Sequence, residues 1–183
     1  MVGFAGDRRD QRVRPMDRRT MTPLWFMGHD RNLVGHGDVL AKPLEDDIGP
    51  PAVILTASRS LPRESLLESG RTIAAVVAAD PRNIAFVASC DWGHRHQESG
   101  PYGYHPASAE VDAEVVAAIE ANDLPRLLEI SDERAAEAAV DGLWQTLVLA
   151  GVLEGTSFQP ELMTFEAPRY YGMIVAAFAP AKA

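Results

Sequence analysis

Two short apolar runs, Ala52-Val53-Ile54-Leu55-Thr56 and Ile84-Ala85-Phe86-Val87-Ala88-Ser89, have the length and β-branched content of buried strands. Between them Leu66, Leu67, Ile73, Val76 and Val77 recur at helical spacing with charges on the opposite side, which predicts a helix over residues 63–79. Asp80-Pro81 ends it, because proline cannot extend a helix and disfavours the α region at the residue before it. Strand, helix and strand over this length predict a right-handed βαβ crossover with parallel pairing.

Further on, Val111, Val115, Val116 and Ile119 mark one face of an alanine-rich helix over residues 108–122, and residues 124–130 fit one or two further turns. Ser131 stands before Asp132 and Glu133 as an N-cap before acids, starting a helix that includes Leu143, Trp144, Leu147 and Val148 and either breaks near Gly142 or ends at Gly151. Residues 161–166 and 172–178 read as two closing strands joined by a short turn. The sum is an α/β fold, a three-layer α/β/α domain with a mostly parallel or mixed central sheet that is thin on its N-terminal side.

Upstream, residues 21–28 form an apolar patch that the pattern leaves open between a short strand and a packed loop, and residues 29–51 read as loop, punctuated by Gly and Pro. Residues 1–20 hold six arginines against three aspartates without apolar periodicity, the composition of a disordered leader preceding a domain over residues 21–183. The formal net charge of -9 excludes the basic face that nucleic-acid binding needs. No apolar run reaches the roughly 18 residues of a membrane span. The single cysteine, Cys90, excludes an intrachain disulfide and fits the cytoplasm; it reads as core filler.

Candidate chemistry gathers behind the run at 84–89. Asp91 and His94 place a carboxylate and an imidazole where a buried strand ends, and His96 and His105 share the same loop with Tyr102 and Tyr104. Histidine titrates near neutrality, so one held in a partly closed loop suits general acid–base work. Glu166 ends a second apolar strand, where a carboxylate is either a metal ligand or a solvated strand end. Tyr170 and Tyr171 follow it, and aromatic rings beside a polar cluster suit a flat organic ligand. The chain has no His-x-x-x-His, cysteine pair, EF-hand spacing or glycine-rich phosphate loop.

Ser89-Cys90-Asp91-Trp92-Gly93-His94-Arg95-His96 followed by Gly100-Pro101-Tyr102-Gly103-Tyr104-His105-Pro106 resembles the catalytic B subunit of class III extradiol ring-cleavage dioxygenases. Thr22-Pro23-Leu24-Trp25-Phe26, Pro51-Ala52-Val53-Ile54, and Phe165-Glu166-Ala167-Pro168 with Tyr171-Gly172-Met173 agree in the same order. The resemblance implies a non-haem Fe(II) enzyme that opens a catechol-type aromatic ring with O₂, working as a homo-oligomer or with a partner subunit. It implies Glu166 as an iron ligand and His94 as the catalytic base, with Asp91 beside it and His96, Tyr102, Tyr104, His105 and Tyr171 around the substrate. The resemblance implies that two iron-binding histidines come from an N-terminal half, which this chain is expected to lack. Asp17-Arg18-Arg19-Thr20 stands where the family has Asp-His-Gly-Thr, which leaves His29 and His36 as the upstream histidines. Two other readings stay open: a Memo-like binding or assembly module that keeps the fold without catalysis, and a divalent-metal hydrolase using Asp91, His94 and His96.

Overall fold

A computed structural model describes residues 22–24, 26–27 and 50–181. The chain divides into two compact units, Met1–Thr56 and Ala57–Ala183. In the first, Thr22, Pro23, Leu24 and Phe26 are helical, and the Met27 N–H donates to the Pro23 carbonyl at 3.0 Å. The apolar patch thus holds a helical turn, neither of the two forms its pattern left open. Residues 52–56 carry no strand ladder, and Val53, Ile54 and Leu55 are exposed.

The second unit runs through helix α1 (Arg63–Ala78), helix α2 (Ala107–Glu120), a 3-10 segment (Leu124–Glu129), helix α3 (Asp132–Glu137), helix α4 (Leu143–Leu153), strand β1 (Phe158–Glu166) and strand β2 (Met173–Pro180). Helix α1 ends just before Asp80-Pro81, as proline chemistry requires. It buries Leu66, Leu67 and Gly70 against α4, and the crossing depends on two glycines. A Cβ on Gly70 would overlap the Val148 carbonyl, and one on Gly151 would overlap that of Leu67. Ser131 caps α3 by accepting from the Arg134 N–H at 3.2 Å.

Of the two forms open to the helix that starts after Ser131, the break near Gly142 is the one formed, over residues 138–142. Ala139 adopts a left-handed φ of 49° there, which turns the chain and aims two carbonyls at the site described below. The core joins Val111, Val115 and Ala118 of α2 to Leu127, Ile130, Leu143 and Leu147, with Leu162, Ile174, Ala176 and Phe178 of the hairpin packed against it.

The sheet departs from the expectation. Among the described residues the strands form one antiparallel pair, β1 with β2, in register from Phe158↔Pro180 to Glu166↔Met173 with an irregularity between Leu162 and Thr164. Residues 84–88 are not assigned to a strand, and Ile84 and Val87 are exposed. The parallel sheet and the three-layer stack are thus not seen among the described residues. The physical reason is that an apolar run specifies a surface that pairs well, whereas a strand exists only where a neighbouring backbone supplies the other half of the ladder. No helix among the described residues is long and apolar enough to cross a membrane.

Candidate functional site

Residues 91–96 cross the mouth of the β1–β2 hairpin, and every backbone N–H from Trp92 to His96 has an acceptor. Trp92 donates to the Gly172 carbonyl at 2.9 Å and His96 to that of Tyr170 at 3.1 Å, while the Gly172 N–H returns a bond to the Gly93 carbonyl at 2.9 Å. His94 donates to the Ala138 carbonyl at 2.8 Å. The two remaining donors go to side chains of α2: Gly93 to Asp112 Oδ1 at 2.8 Å and Arg95 to Ser108 Oγ at 2.9 Å.

Asp112 and Ser108 stand four residues apart on one helical face, so both reach the same strip of backbone. Both are fully buried. Ser108 passes its own hydroxyl proton to the Ala138 carbonyl at 2.9 Å. Asp112 Oδ2 takes His96 Nε2 at 2.8 Å. Burial pushes the Asp112 carboxyl up, against the opposing pull of the Gly93 N–H and of His96.

His94 is the imidazole at the centre. Its Nδ1 lies 2.6 Å from the Trp92 carbonyl and 3.0 Å from that of Ala139. Both partners are acceptors only, so Nδ1 carries the proton and Nε2 is the basic atom. Nε2 faces Asp91 Oδ2 at 3.5 Å. That carboxylate is the main reason the His94 pKa lies above its ordinary value, with burial acting the other way.

Tyrosines surround the ring. Tyr171 stacks on it at 5.9 Å between centroids, Tyr102 meets it edge-on at 5.8 Å, and Tyr170 lies tilted at 6.0 Å. Tyr170 and Tyr171 also meet each other edge-on at 5.0 Å. Arg95 closes the loop's outer side by donating to the Tyr102 carbonyl at 2.9 Å and the Glu137 carbonyl at 3.1 Å.

The sequence candidates thus separate. His94, Asp91, Tyr102 and Tyr171 come together, whereas His96 turns away from that group to the buried Asp112. Tyr104 is exposed and bridges His96 through its backbone. His105 serves the loop, accepting the Ala107 N–H at Nδ1 and donating its own N–H to the Arg95 carbonyl. Cys90 is half-buried, with its sulfur 3.9 Å from Thr146 Oγ1. Glu166 is exposed at the last pair of the hairpin, opposite Met173. His29 and His36 lie outside the described residues.

Residues 46–177, well over half of the chain, match the family described as the catalytic LigB subunit of aromatic ring-opening dioxygenase. The chain belongs to this family. A stretch of 101 residues is 32% identical to Protein CA_C1420 of Clostridium acetobutylicum, covering 55% of this chain and 22% of that relative's length. The LigB match contains the whole cluster around His94 and also Glu166.

LigB dioxygenases work with non-haem iron, and a facial Fe(II) site takes two histidines and one carboxylate. Among the described residues no three His, Cys, Asp or Glu side chains are grouped to hold a metal. His94 Nδ1 is committed to carbonyls and His96 Nε2 to Asp112. The described residues therefore offer Glu166 as a single carboxylate and do not by themselves fit the ion.

Asp112 and Ser108 escape a sequence search for chemistry, because each looks like a surface or cap residue of an alanine-rich helix. The available signal was their position: both fall on the stripe of Val111 and Val115, where a polar side chain is buried and so must have a partner.

Proposed function

We propose that this chain is an aromatic ring-opening dioxygenase-like protein that acts on a catechol-type diol with O₂, with His94 as its base. The observation that carries the reading is the state of His94: one nitrogen fixed as a donor, the other left basic beside Asp91 and within a cluster of three tyrosines. A diol must lose a proton as its ring becomes electron-rich, and an imidazole with its pKa above the ordinary value takes that proton readily near neutral pH. Asp91 stabilises the imidazolium that results. The tyrosines give a flat ring surfaces to stack on and exclude water from it.

Fe(II), when bound, supplies the activation of O₂ that no side chain provides. Glu166 is the carboxylate proposed to contribute to it, with two histidine donors from outside the described residues, His29 and His36 being this chain's own candidates.

A second reading has its own support. The described residues alone supply no three-donor group, so a Memo-like binding or assembly module that retains the fold without turnover is the alternative to test. Anaerobic calorimetry with Fe(II), followed by oxygen uptake with catechol, separates the two. The dioxygenase reading expects stoichiometric Fe(II) binding lost in Glu166→Gln, and O₂ consumption that drops at least about a hundredfold in His94→Gln, within the range of a lost general base. An iron-free wild type that consumes no O₂ with catechol overturns it and leaves the binding module.

A further inference from the structure

The two α2 side chains that hold residues 93–95 are not equivalent. Ser108 satisfies one N–H and one carbonyl of the same local turn. Asp112 meets two separate pieces of chain: the His94 loop, through hydrogen bonds to the Gly93 N–H and the His96 ring, and the hairpin turn that carries Tyr170 and Tyr171, through close packing on Gly172. Gly172 sits against Oδ2 so closely that any Cβ would overlap the carboxylate. A Cβ on Gly93 would come within 2.8 to 3.0 Å of Ser108 and Asp112 Oδ1. Gly172 is therefore cut to fit Asp112, and Gly93 to fit Ser108 and Asp112 together.

Burying a carboxylate is expensive and is tolerated where it is hydrogen-bonded. An apolar residue would fill the space without that expense, so the cost is repaid in geometry.

We propose that Asp112 is a positioning residue of the site, a buried carboxylate that locks the His94 loop to the Tyr170–Tyr171 turn and fixes the tautomer of His96 as Nε2–H. Its hydrogen bonds go to the Gly93 N–H and the His96 ring, and the His94 ring feels it only as a charge through space. It acts through the Gly93 backbone before His94 and the His96 ring after it, so that the imidazole meets Asp91 and Tyr171 at a set distance. The functional consequence rests on the reading of His94 as the base; the lock itself does not.

Asp112→Asn tests it in the full chain with ¹⁵N-labelled histidine. Asparagine keeps the size and an acceptor for Gly93, but offers an N–H where His96 Nε2 needs an acceptor. Long-range ¹H–¹⁵N spectra of the wild type should show His96 as the Nε2–H tautomer and His94 as Nδ1–H, and Asp112→Asn should switch His96 to Nδ1–H. Because bonds to a charged acceptor are roughly twice as strong as neutral ones, exchange of the Gly93 amide and of the His94 Nδ1–H should quicken about tenfold. A generally loosened protein has no reason to change one ring's tautomer. A wild-type His96 in the Nδ1–H form, or a folded Asp112→Asn variant in which either the tautomer or the exchange is unchanged, overturns the proposal.

Should Asp112→Asn not fold, His96→Gln and His96→Leu replace it. The first keeps a donor to Asp112 and the second removes it, so faster Gly93 and His94 exchange is expected in the leucine variant alone, and equal exchange in both overturns the lock. If the wild type opens catechol, Asp112→Asn should lower kcat about tenfold with KM nearly unchanged, as loss of orientation does. A wild type without turnover sinks the dioxygenase reading and leaves the imidazole spectra to judge the lock.

Discussion

Gly172 lies so close to Asp112 that a methyl group on the glycine would occupy the place of the carboxylate oxygen. Gly172→Ala should therefore destabilise the chain by at least about 1–3 kcal/mol, the usual cost of overpacking, because the backbone on both sides is hydrogen-bonded and cannot give way. Urea unfolding of the variant beside the wild type measures this. A midpoint within error of the wild type would mean that the hairpin turn moves freely over α2.

The helix crossing makes a parallel demand. Gly70 and Gly151 each meet a carbonyl of the opposite helix, Val148 and Leu67 respectively. Gly70→Ala normally gains helix propensity, up to about 1 kcal/mol. Here the sign reverses, with an expected loss of about 2 kcal/mol or more as α1 and α4 are pushed apart. Thermal denaturation of both single variants checks it, and a raised Tm in either contradicts the packing.

Stability should depend on pH through His94. Its folded-state pKa lies above the unfolded value of about 6.5, so the folded chain holds that proton more tightly. The stabilisation is complete below the unfolded pKa and is lost as pH rises through the folded one. Asp91 is the principal cause, and Asp91→Asn should flatten this part of the curve. Denaturant titrations at stepped pH from about 5.5 to 8.5 measure it, since the window brackets the ordinary imidazole pKa. An unchanged slope in the variant would assign the dependence to another group.

Ala139 is held at a left-handed φ of 49°, and its carbonyl receives the His94 Nδ1 proton. A non-glycine residue in this region costs about 1–2 kcal/mol. Ala139→Val should add strain and lower stability by about 1–2 kcal/mol, since β-branching resists the left-handed region most, whereas Ala139→Gly should be neutral or slightly stabilising. The two variants differ in volume in opposite directions on an otherwise similar apolar site, so a matching loss in both would point to packing in place of backbone strain.

Much of this was open to reading from residues alone, and the boundary is physical. Helix α1 was legible because Leu66 and Leu67 set its inner face and Asp80-Pro81 stops it. The closing hairpin and the start of α3 at Ser131 were legible for similar local reasons. The parallel sheet expected from residues 84–89 was not legible in the same way, because strand pairing depends on a partner that no local pattern contains. His94, Asp91, Tyr102 and Tyr171 could be nominated from the sequence because their chemistry is visible in their side chains, and the structure brings the four together. What holds them was hidden, since it consists of carbonyls at Ala138 and Ala139 and of two polar residues on an apolar face.

The tautomer of His94 sets a direction for proton traffic. A histidine with both nitrogens available passes a proton through itself, taking it on one side and releasing it on the other. With Nδ1–H bound between the Trp92 and Ala139 carbonyls, the ring has one working door. A proton accepted at Nε2 must leave from Nε2, into the same small space beside Asp91 and the tyrosines. If His94 is the base proposed above, it lends and returns its proton on that one face, the side shared with Asp91 and the tyrosines.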